Sequence, residues 1–69
     1  MKNNKYYVWF FDSFEIVYAG NHESAAILAT AKRISAGLRT QITMIEMEKD
    51  DGTTEYVFGA GSVFLKETA

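Results

Sequence analysis

The sequence predicts an α+β fold in which one α-helix packs on one face of a single antiparallel sheet of about five strands, in the order ββαβββ. Two aromatic and β-branched runs lie close together near the N-terminus, as the strands of a hairpin do. An alanine-rich stretch follows, and alanine favours helix. Two further alternating runs flank the loop KDDG at positions 49–52, where glycine supplies the positive φ that a tight turn needs.

Length and composition limit the classes of protein. The 69 residues predict one domain, residues 1–69, and a chain this short buries only about 60% of the surface that its unfolded form exposes. The chain has no cysteine, which excludes disulfides and thiolate metal sites. Its net charge of −2 argues against a general binder of phosphate backbones. The lack of cysteine fits a reducing compartment, and we expect a cytoplasmic protein. No apolar run approaches the roughly 20 residues of a membrane span, so we expect no membrane partner.

The first hairpin is predicted from residues 5–11 and 14–19, with Asp12 and Ser13 as a two-residue turn. This turn places Trp9 opposite Ile16, and opposed residues share a face of the sheet. The register produces one uniformly apolar face, which supports it, and that face comprises Tyr7, Trp9, Phe11, Phe14, Ile16 and Tyr18.

The helix is predicted over residues 22–36. Asn21 is a favourable N-cap, Glu23 suits the positive end of the helix dipole, and Gly37 suits the left-handed residue after the helix. One apolar stripe runs along this helix at spacings of four, three and four, and we expect it to face the sheet: Ile27, Ala31, Ile34 and Leu38.

The second group of strands is predicted at residues 40–48, 53–58 and 62–66, the last after Gly59-Ala60-Gly61. A four-residue loop would pair Met47 with Thr54 and Ile45 with Tyr56. Glycine-rich turns also bind phosphate, but that use requires a helix after the turn, and a strand is predicted here.

One helix covers one face, so the other face of the predicted sheet remains open. The covered face is expected to carry the apolar face of the first hairpin with Ile45, Met47, Tyr56 and Phe58. Four side chains on the open face would expose roughly 400 Å² of apolar surface, on the order of 10 kcal/mol of transfer free energy. Monomers rarely expose such a patch. We therefore expect the open face to bind a protein, through Tyr6, Val8, Phe10, Val17, Ile42, Met44 and Val57.

Charged side chains form two further candidate contact groups. Basic residues lie on the outer side of the predicted helix and at its exit: Lys32, Arg33 and Arg39. Acidic residues cluster on the second hairpin, where they would resist edge-to-edge aggregation or meet a basic partner: Glu46, Glu48, Asp50, Asp51 and Glu55.

The sequence contains no pattern that indicates catalysis, a cofactor or a metal site. His22 is the only histidine, and no nucleophile is marked out beside it. One histidine without cysteine gives no metal-ligand spacing. We therefore expect a protein that is not an enzyme.

Three segments resemble parts of small phage-encoded inhibitors, the one-helix, antiparallel-sheet anti-CRISPR proteins: AKRISAG (31–37), ITMIEMEKDDG (42–52) and TEYVFGAGSVFLKE (54–67). Together they span about half the chain. The resemblance implies a protein that occupies a surface of a bacterial nuclease complex without catalysis. It also implies contacts through the basic group Lys32, Arg33 and Arg39 or through the acidic hairpin.

The function expected from the sequence is thus a non-enzymatic protein-binding module, in the manner of a phage or mobile-element inhibitor. A second reading is a homodimeric structural or accessory protein whose open face is its own interface. A third is a small nucleic-acid-binding domain, since strands rich in aromatic side chains near Lys2 and Lys5 can stack bases.

Overall fold

The computed structural model describes residues 3–59. Its elements are β1 (Asn4–Phe10), β2 (Phe14–Ala19), α1 (His22–Ala36), β3 (Ile42–Glu48) and β4 (Thr54–Gly59). The predicted α+β fold, with one helix and an antiparallel sheet, is confirmed. The described residues have the order ββαββ and form four strands. The prediction was ββαβββ with about five strands. The predicted strand at 62–66 lies outside the described residues.

The strand order in the sheet is β2-β1-β3-β4, so β1 has antiparallel neighbours on both sides. The connection through α1 therefore brings β3 beside β1 and leaves β2 at one edge. Val8 lies opposite Ile45, and Tyr7 lies opposite Glu46. Opposed residues share a face. The carboxylates of β3 consequently lie on the same face as Tyr7 and Trp9, and its apolar side chains lie with Val8.

The two ends of α1 are capped as predicted. The side chain of Asn21 accepts a hydrogen bond from the Ser24 amide at 2.8 Å. Gly37 has a φ of 71°, its amide donates to the Ile34 carbonyl, and the Leu38 amide donates to the Arg33 carbonyl. This pair of bonds is the Schellman arrangement, which satisfies carbonyls that the helix end would otherwise leave unpaired.

The core lies between α1 and the face of the sheet that carries the even-numbered residues of β1. The buried apolar residues are Tyr6, Val8, Phe10, Val17, Ala19, Ala25, Ala29 and Ile45. The helix contributes only alanines to this list, so its backbone can approach the large side chains of the sheet closely. Five more residues pack partly buried around it: Ala26, Ile42, Met47, Val57 and Phe58.

The prediction of which face the helix covers was wrong for β1 and β2. The helix covers Tyr6, Val8, Phe10 and Val17 and leaves Tyr7, Trp9 and their neighbours uncovered. Glu46 and Glu48 explain the choice, because they lie beside Trp9 and Tyr7 on β3. A helix over that face would bury both carboxylates, at several kcal/mol for each ion. The predictions for Ile45, Met47 and Phe58 were right, since these residues do lie on the covered side.

The helix is also rotated relative to the prediction. Ala25, Ala29 and Arg33, spaced four residues apart, face the sheet and are buried. The stripe expected in that place points to solvent, with Ile27 70% and Ile34 65% exposed. Alanine at the contact brings helix and sheet closer together than isoleucine would, and it leaves room for the long side chain of Arg33.

Both hairpin registers differ from the prediction. In the first, Trp9 lies opposite Phe14, two residues from the predicted register, and Phe11 falls in the turn with 72% of its surface exposed. Because this shift is two residues, each residue of β1 and β2 stays on the predicted side of its strand pair. In the second, Glu46 lies opposite Tyr56, a slip of one that moves Tyr56 to the uncovered face. An irregularity between Ile45 and Glu46 then returns Phe58 to the core side.

Candidate protein-binding surface on the sheet

The uncovered side of the sheet is called the open face below. Strands β1 and β2 supply its apolar half, and β3 supplies the two carboxylates of its acidic half. Its exposed large side chains include Phe14, Ile16, Tyr18 and Tyr56, and the two tyrosines are 59% and 70% exposed. The residues of the open face are Lys5, Tyr7, Trp9, Phe14, Ile16, Tyr18, Met44, Glu46, Glu48 and Tyr56.

Three aromatic rings of β1 and β2 form a cluster on the open face. The ring centroids of Trp9 and Phe14 are 4.7 Å apart, and those of Tyr7 and Phe14 are 6.0 Å apart, both pairs tilted. Tilted and offset pairs at such distances are the favourable geometry for aromatic rings. The cluster therefore holds its own shape and presents a firm apolar surface to any partner.

The two carboxylates of β3 hold the rings in place. The indole nitrogen of Trp9 donates to Glu46 Oε1 at 2.8 Å, and the hydroxyl of Tyr7 donates to Glu48 Oε1 at 2.6 Å. Thr54 Oγ1 donates to the other oxygen of Glu46 at 3.3 Å. Hydrogen bonds to charged acceptors are stronger than neutral ones. The aromatic and acidic halves of the open face are thus joined into one prearranged surface.

Lys5 adds a cation at the edge of this surface. Its ammonium lies 3.6 Å from Glu48 Oε1 and 5.4 Å from the centroid of the Tyr7 ring. The hydrogen bond with the Tyr7 side chain, followed by the negative charge of Glu48, raises the pKa of Lys5 above its ordinary value. Lys5 is therefore charged at neutral pH, and it offsets one of the two carboxylates.

The binding residues predicted for the sheet lie mainly on the wrong side of it. Four of them are buried beneath α1 and cannot contact a partner: Tyr6, Val8, Phe10 and Val17. Ile42 and Val57 pack against the same core. Met44, opposite Trp9, is the one member of the predicted set that lies on the open face.

Arg33 was predicted as a surface contact, and this prediction was wrong because its side chain is fully buried. Its guanidinium donates to the Arg39 carbonyl at 2.6 Å, to Ser13 Oγ at 2.7 Å and to Asp12 Oδ1 at 2.6 Å. The other two basic candidates are exposed: Lys32 pairs with Glu15 at 3.4 Å, and the guanidinium of Arg39 lies over the Phe11 ring.

The acidic hairpin is divided between the open face and the loop. Glu46 and Glu48 belong to the open face, whereas Asp50 and Asp51 lie in the loop. Asp51 accepts hydrogen bonds from the Thr53 hydroxyl at 2.6 Å and from the Thr53 amide at 2.9 Å, and these bonds lower the pKa of Asp51. Glu55 pairs with Lys49 at 3.8 Å. The loop carboxylates are thus partly engaged in shaping the turn.

His22 lies at the first position of α1, next to Glu23. His22 Nε2 lies 3.5 Å from a Glu23 carboxylate oxygen, and its ring stacks on Phe58. Within residues 3–59 no three side chains of the metal-binding types come together. The only helix there is too short to cross a membrane.

Sequence reasoning missed most of the open face. It assigned Tyr7, Trp9, Phe14, Ile16 and Tyr18 to the core, together with Tyr56. The signal that identifies them is the alternation of β3, in which Glu46 and Glu48 share one face and Ile45 and Met47 the other. Because β3 pairs directly with β1, the face of the sheet that carries Glu46 and Glu48 is the face that the helix leaves uncovered.

No protein family, curated protein or solved structure matches this chain.

Proposed function

We propose that this protein is a non-enzymatic protein-binding module that binds a basic protein surface through the open face. The observation that carries the proposal is a firm aromatic cluster, bordered by exposed Tyr18 and Tyr56 and bonded directly to two carboxylates. Tyrosine and tryptophan are enriched where interfaces concentrate their binding energy.

The chemistry of the open face selects for a partner rich in arginine or lysine. Aromatic faces attract guanidinium and ammonium groups within about 6 Å of the ring centroid. Lys5 over Tyr7 and Arg39 over Phe11 show this contact within the chain itself. Glu46 and Glu48 supply the matching negative charge, and the acidic loop extends it beyond the sheet. These same carboxylates would repel phosphate groups, so the open face favours a cationic protein over nucleic acid.

A nucleic-acid-binding groove is one basic protein surface of this kind. The resemblance to anti-CRISPR proteins extends the proposal to inhibition of a host nucleoprotein complex, in which this chain occupies a site that guide or target nucleic acid would use. Such inhibition requires binding alone.

The test is affinity capture from a bacterial lysate with wild-type protein and with the double variant Tyr18→Ser/Tyr56→Ser. Both tyrosines are largely exposed, so the variant keeps the fold while it removes the rim of the open face. The matched control is Leu28→Ser, which removes an exposed apolar side chain from the helix instead. We expect the wild type and the control to retain a basic protein, and the double variant to lose it.

The salt dependence of capture and the direct binding of nucleic acid distinguish a basic protein partner from a nucleic-acid partner. Retention should weaken as salt rises from about 0.05 M to about 0.5 M, since exposed charge pairs are screened over these concentrations. Capture that is equal for the double variant and the wild type would contradict the proposal. Direct binding of labelled single-stranded RNA or DNA at low salt, lost in the same double variant, would replace it with nucleic-acid binding.

A further inference from the structure

We propose that the free edge of β2 pairs with the same edge of a second copy of this chain, antiparallel about a two-fold axis. Among the described strands β1 is the one neighbour of β2, so the other side of β2 is an edge of the sheet. The pairing joins two sheets into one continuous sheet. It uses backbone amides and carbonyls, whereas the proposed function uses side chains of the open face, so either proposal can fail while the other holds.

The backbone of β2 has hydrogen-bonding groups that point away from β1. The Phe10 amide donates to the Ser13 carbonyl at 2.7 Å, so these two residues form a hydrogen-bonded pair. Such pairs alternate with non-bonded pairs along an antiparallel ladder. Glu15 and Val17 therefore bond to β1, and the amides and carbonyls of the alternate residues point outward: Phe14, Ile16 and Tyr18. A row of outward donors and acceptors is the site to which another extended strand adds.

The β2 strand lacks the usual features by which edge strands resist such pairing. Its sequence, FEIVYA, contains no proline and no lysine, and its ladder with β1 has no bulge. Glu15 is its only charged residue, and the carboxylate lies 3.4 Å from the Lys32 ammonium and 3.7 Å from the Arg33 guanidinium. Because both cations belong to the same copy, the charge of Glu15 stays compensated when a second strand arrives.

The side chains of β2 identify a second copy as the occupant of this edge. With Ile16 opposite Ile16 on the two-fold axis, Phe14 of each copy lies opposite Tyr18 of the other. All three outward residues then exchange hydrogen bonds, and opposed aromatic pairs add stability. A shift of two residues would bring Asp12 or Gly20, which lie outside β2, opposite one of the three. The edge is thus complementary to itself in one register.

The shape of the chain permits this dimer, and the length of the strand sets its strength. The helix contacts β1, β2 and β3, so it lies above the sheet instead of beside its edge. A strand of 6 residues is about 20 Å long, and one strand pair buries less than the roughly 1,200 Å² of a standard stable interface. The predicted dimer is therefore weak and depends on protein concentration.

Amide hydrogen exchange of the full chain at low and high concentration tests the proposal. The outward amides of Phe14, Ile16 and Tyr18 should exchange about fourfold more slowly at about 1 mM than at about 20 μM, for a dissociation constant of about 100 μM. The amides of Glu15 and Val17, which bond to β1, should be protected at both concentrations. Outward amides whose exchange does not depend on concentration would overturn the proposal.

Sedimentation equilibrium with variants of Ile16 tests the same edge by mass. The average mass of the wild type should rise from 7.8 kDa toward twice that value at about 1 mM. Ile16→Pro removes the central outward amide without breaking a bond to β1, so it should stay monomeric while circular dichroism shows the fold unchanged. Ile16→Lys sets two cations together on the axis and serves if the proline variant does not fold. Ile27→Lys, a change at an exposed residue of the helix, should dimerise as the wild type does.

The outcomes separate the edge from other contacts. A wild type that is monomeric at about 1 mM would overturn the proposal, as would a dimer that survives both Ile16 variants or is lost in Ile27→Lys. Nuclear Overhauser contacts in a mixture of labelled and unlabelled chains test the register. The proposed register predicts a cross-peak between the α-protons of Glu15 in one copy and Val17 in the other. A cross-peak between Val17 of one copy and Val17 of the other would overturn that register.

Discussion

The guanidinium of Arg33 joins the end of the helix to the β1–β2 turn and to the segment that follows the helix. It binds the β1–β2 turn through Asp12 and Ser13, and the segment after the helix through the Arg39 carbonyl. It also lies 4.5 Å from the centroid of the Phe10 ring. No buried polar side-chain atom in the described residues lacks a hydrogen-bond partner, and this guanidinium is fully enclosed. Arg33 therefore fixes the position of the helix end relative to the sheet.

The pKa of Asp12 reports the same contact. Partial desolvation would raise the pKa of this carboxyl group, but the hydrogen bond from Arg33, the Asp12 amide and the charges of Arg33 and Arg39 outweigh it. The pKa of Asp12 therefore lies below its ordinary value of 3.8, and the ion pair persists at neutral pH.

Replacement of Arg33 by alanine should lower the free energy of unfolding by about 3 kcal/mol. Removal of one partner from a buried ion pair costs about 3–5 kcal/mol, and the lower value applies because Asp12 is half-exposed. Urea denaturation at pH 7 measures this change. The control is Lys32→Ala, the neighbouring cation with an exposed ion pair, for which we expect a loss of about 0.5 kcal/mol. Equal losses in the two variants would show that Arg33 does not have the structural role described above.

At the scale of elements, local signals sufficed for the bounds of the helix and failed for the faces that the helix and the sheet bury. The bounds of α1 follow from neighbouring residues, since Asn21 and Gly37 satisfy the backbone groups at its two ends. The covered face of β1 depends instead on β3, which is about 37 residues away in the chain. Hydrophobic alternation cannot decide it, because β1 is apolar on both faces. The deciding residues are Glu46 and Glu48, and their influence appears only once β3 lies beside β1.

The C-terminal cap of α1 can be tested with a pair of glycines. Gly37 has a φ of 71°, whereas Gly20 does not have a positive φ, and a Cβ added at either position would meet nothing within 4 Å. Gly37→Ala should therefore lower the free energy of unfolding by about 1 kcal/mol through backbone strain alone. Gly20→Ala should leave it unchanged or raise it by about 0.5 kcal/mol, because alanine restricts the unfolded chain. Thermal unfolding followed by circular dichroism measures both, and a Gly37→Ala variant as stable as the wild type would contradict the cap.

At the scale of the whole molecule, one helix covers one face of a sheet that carries apolar side chains on both faces. The helix uses its alanine side to cover Tyr6, Val8 and Phe10. Apolar side chains then remain exposed on the open face of the sheet and on the outer side of the helix, at Ile27 and Ile34. We propose a basic partner for the open face, because it carries carboxylates. This proposal depends on which face of β1 the helix covers.

Nuclear Overhauser contacts of the alanine methyl groups in α1 test that choice most directly. The structure predicts cross-peaks from Ala25 and Ala29 to the core side chains of the sheet, among them Val8 and Val17. It predicts none from these methyl groups to the indole of Trp9 or the ring of Phe14. Cross-peaks from Ala25 or Ala29 to Trp9 or Phe14 would place the helix on the aromatic face, and they would contradict the fold and the proposed binding surface together.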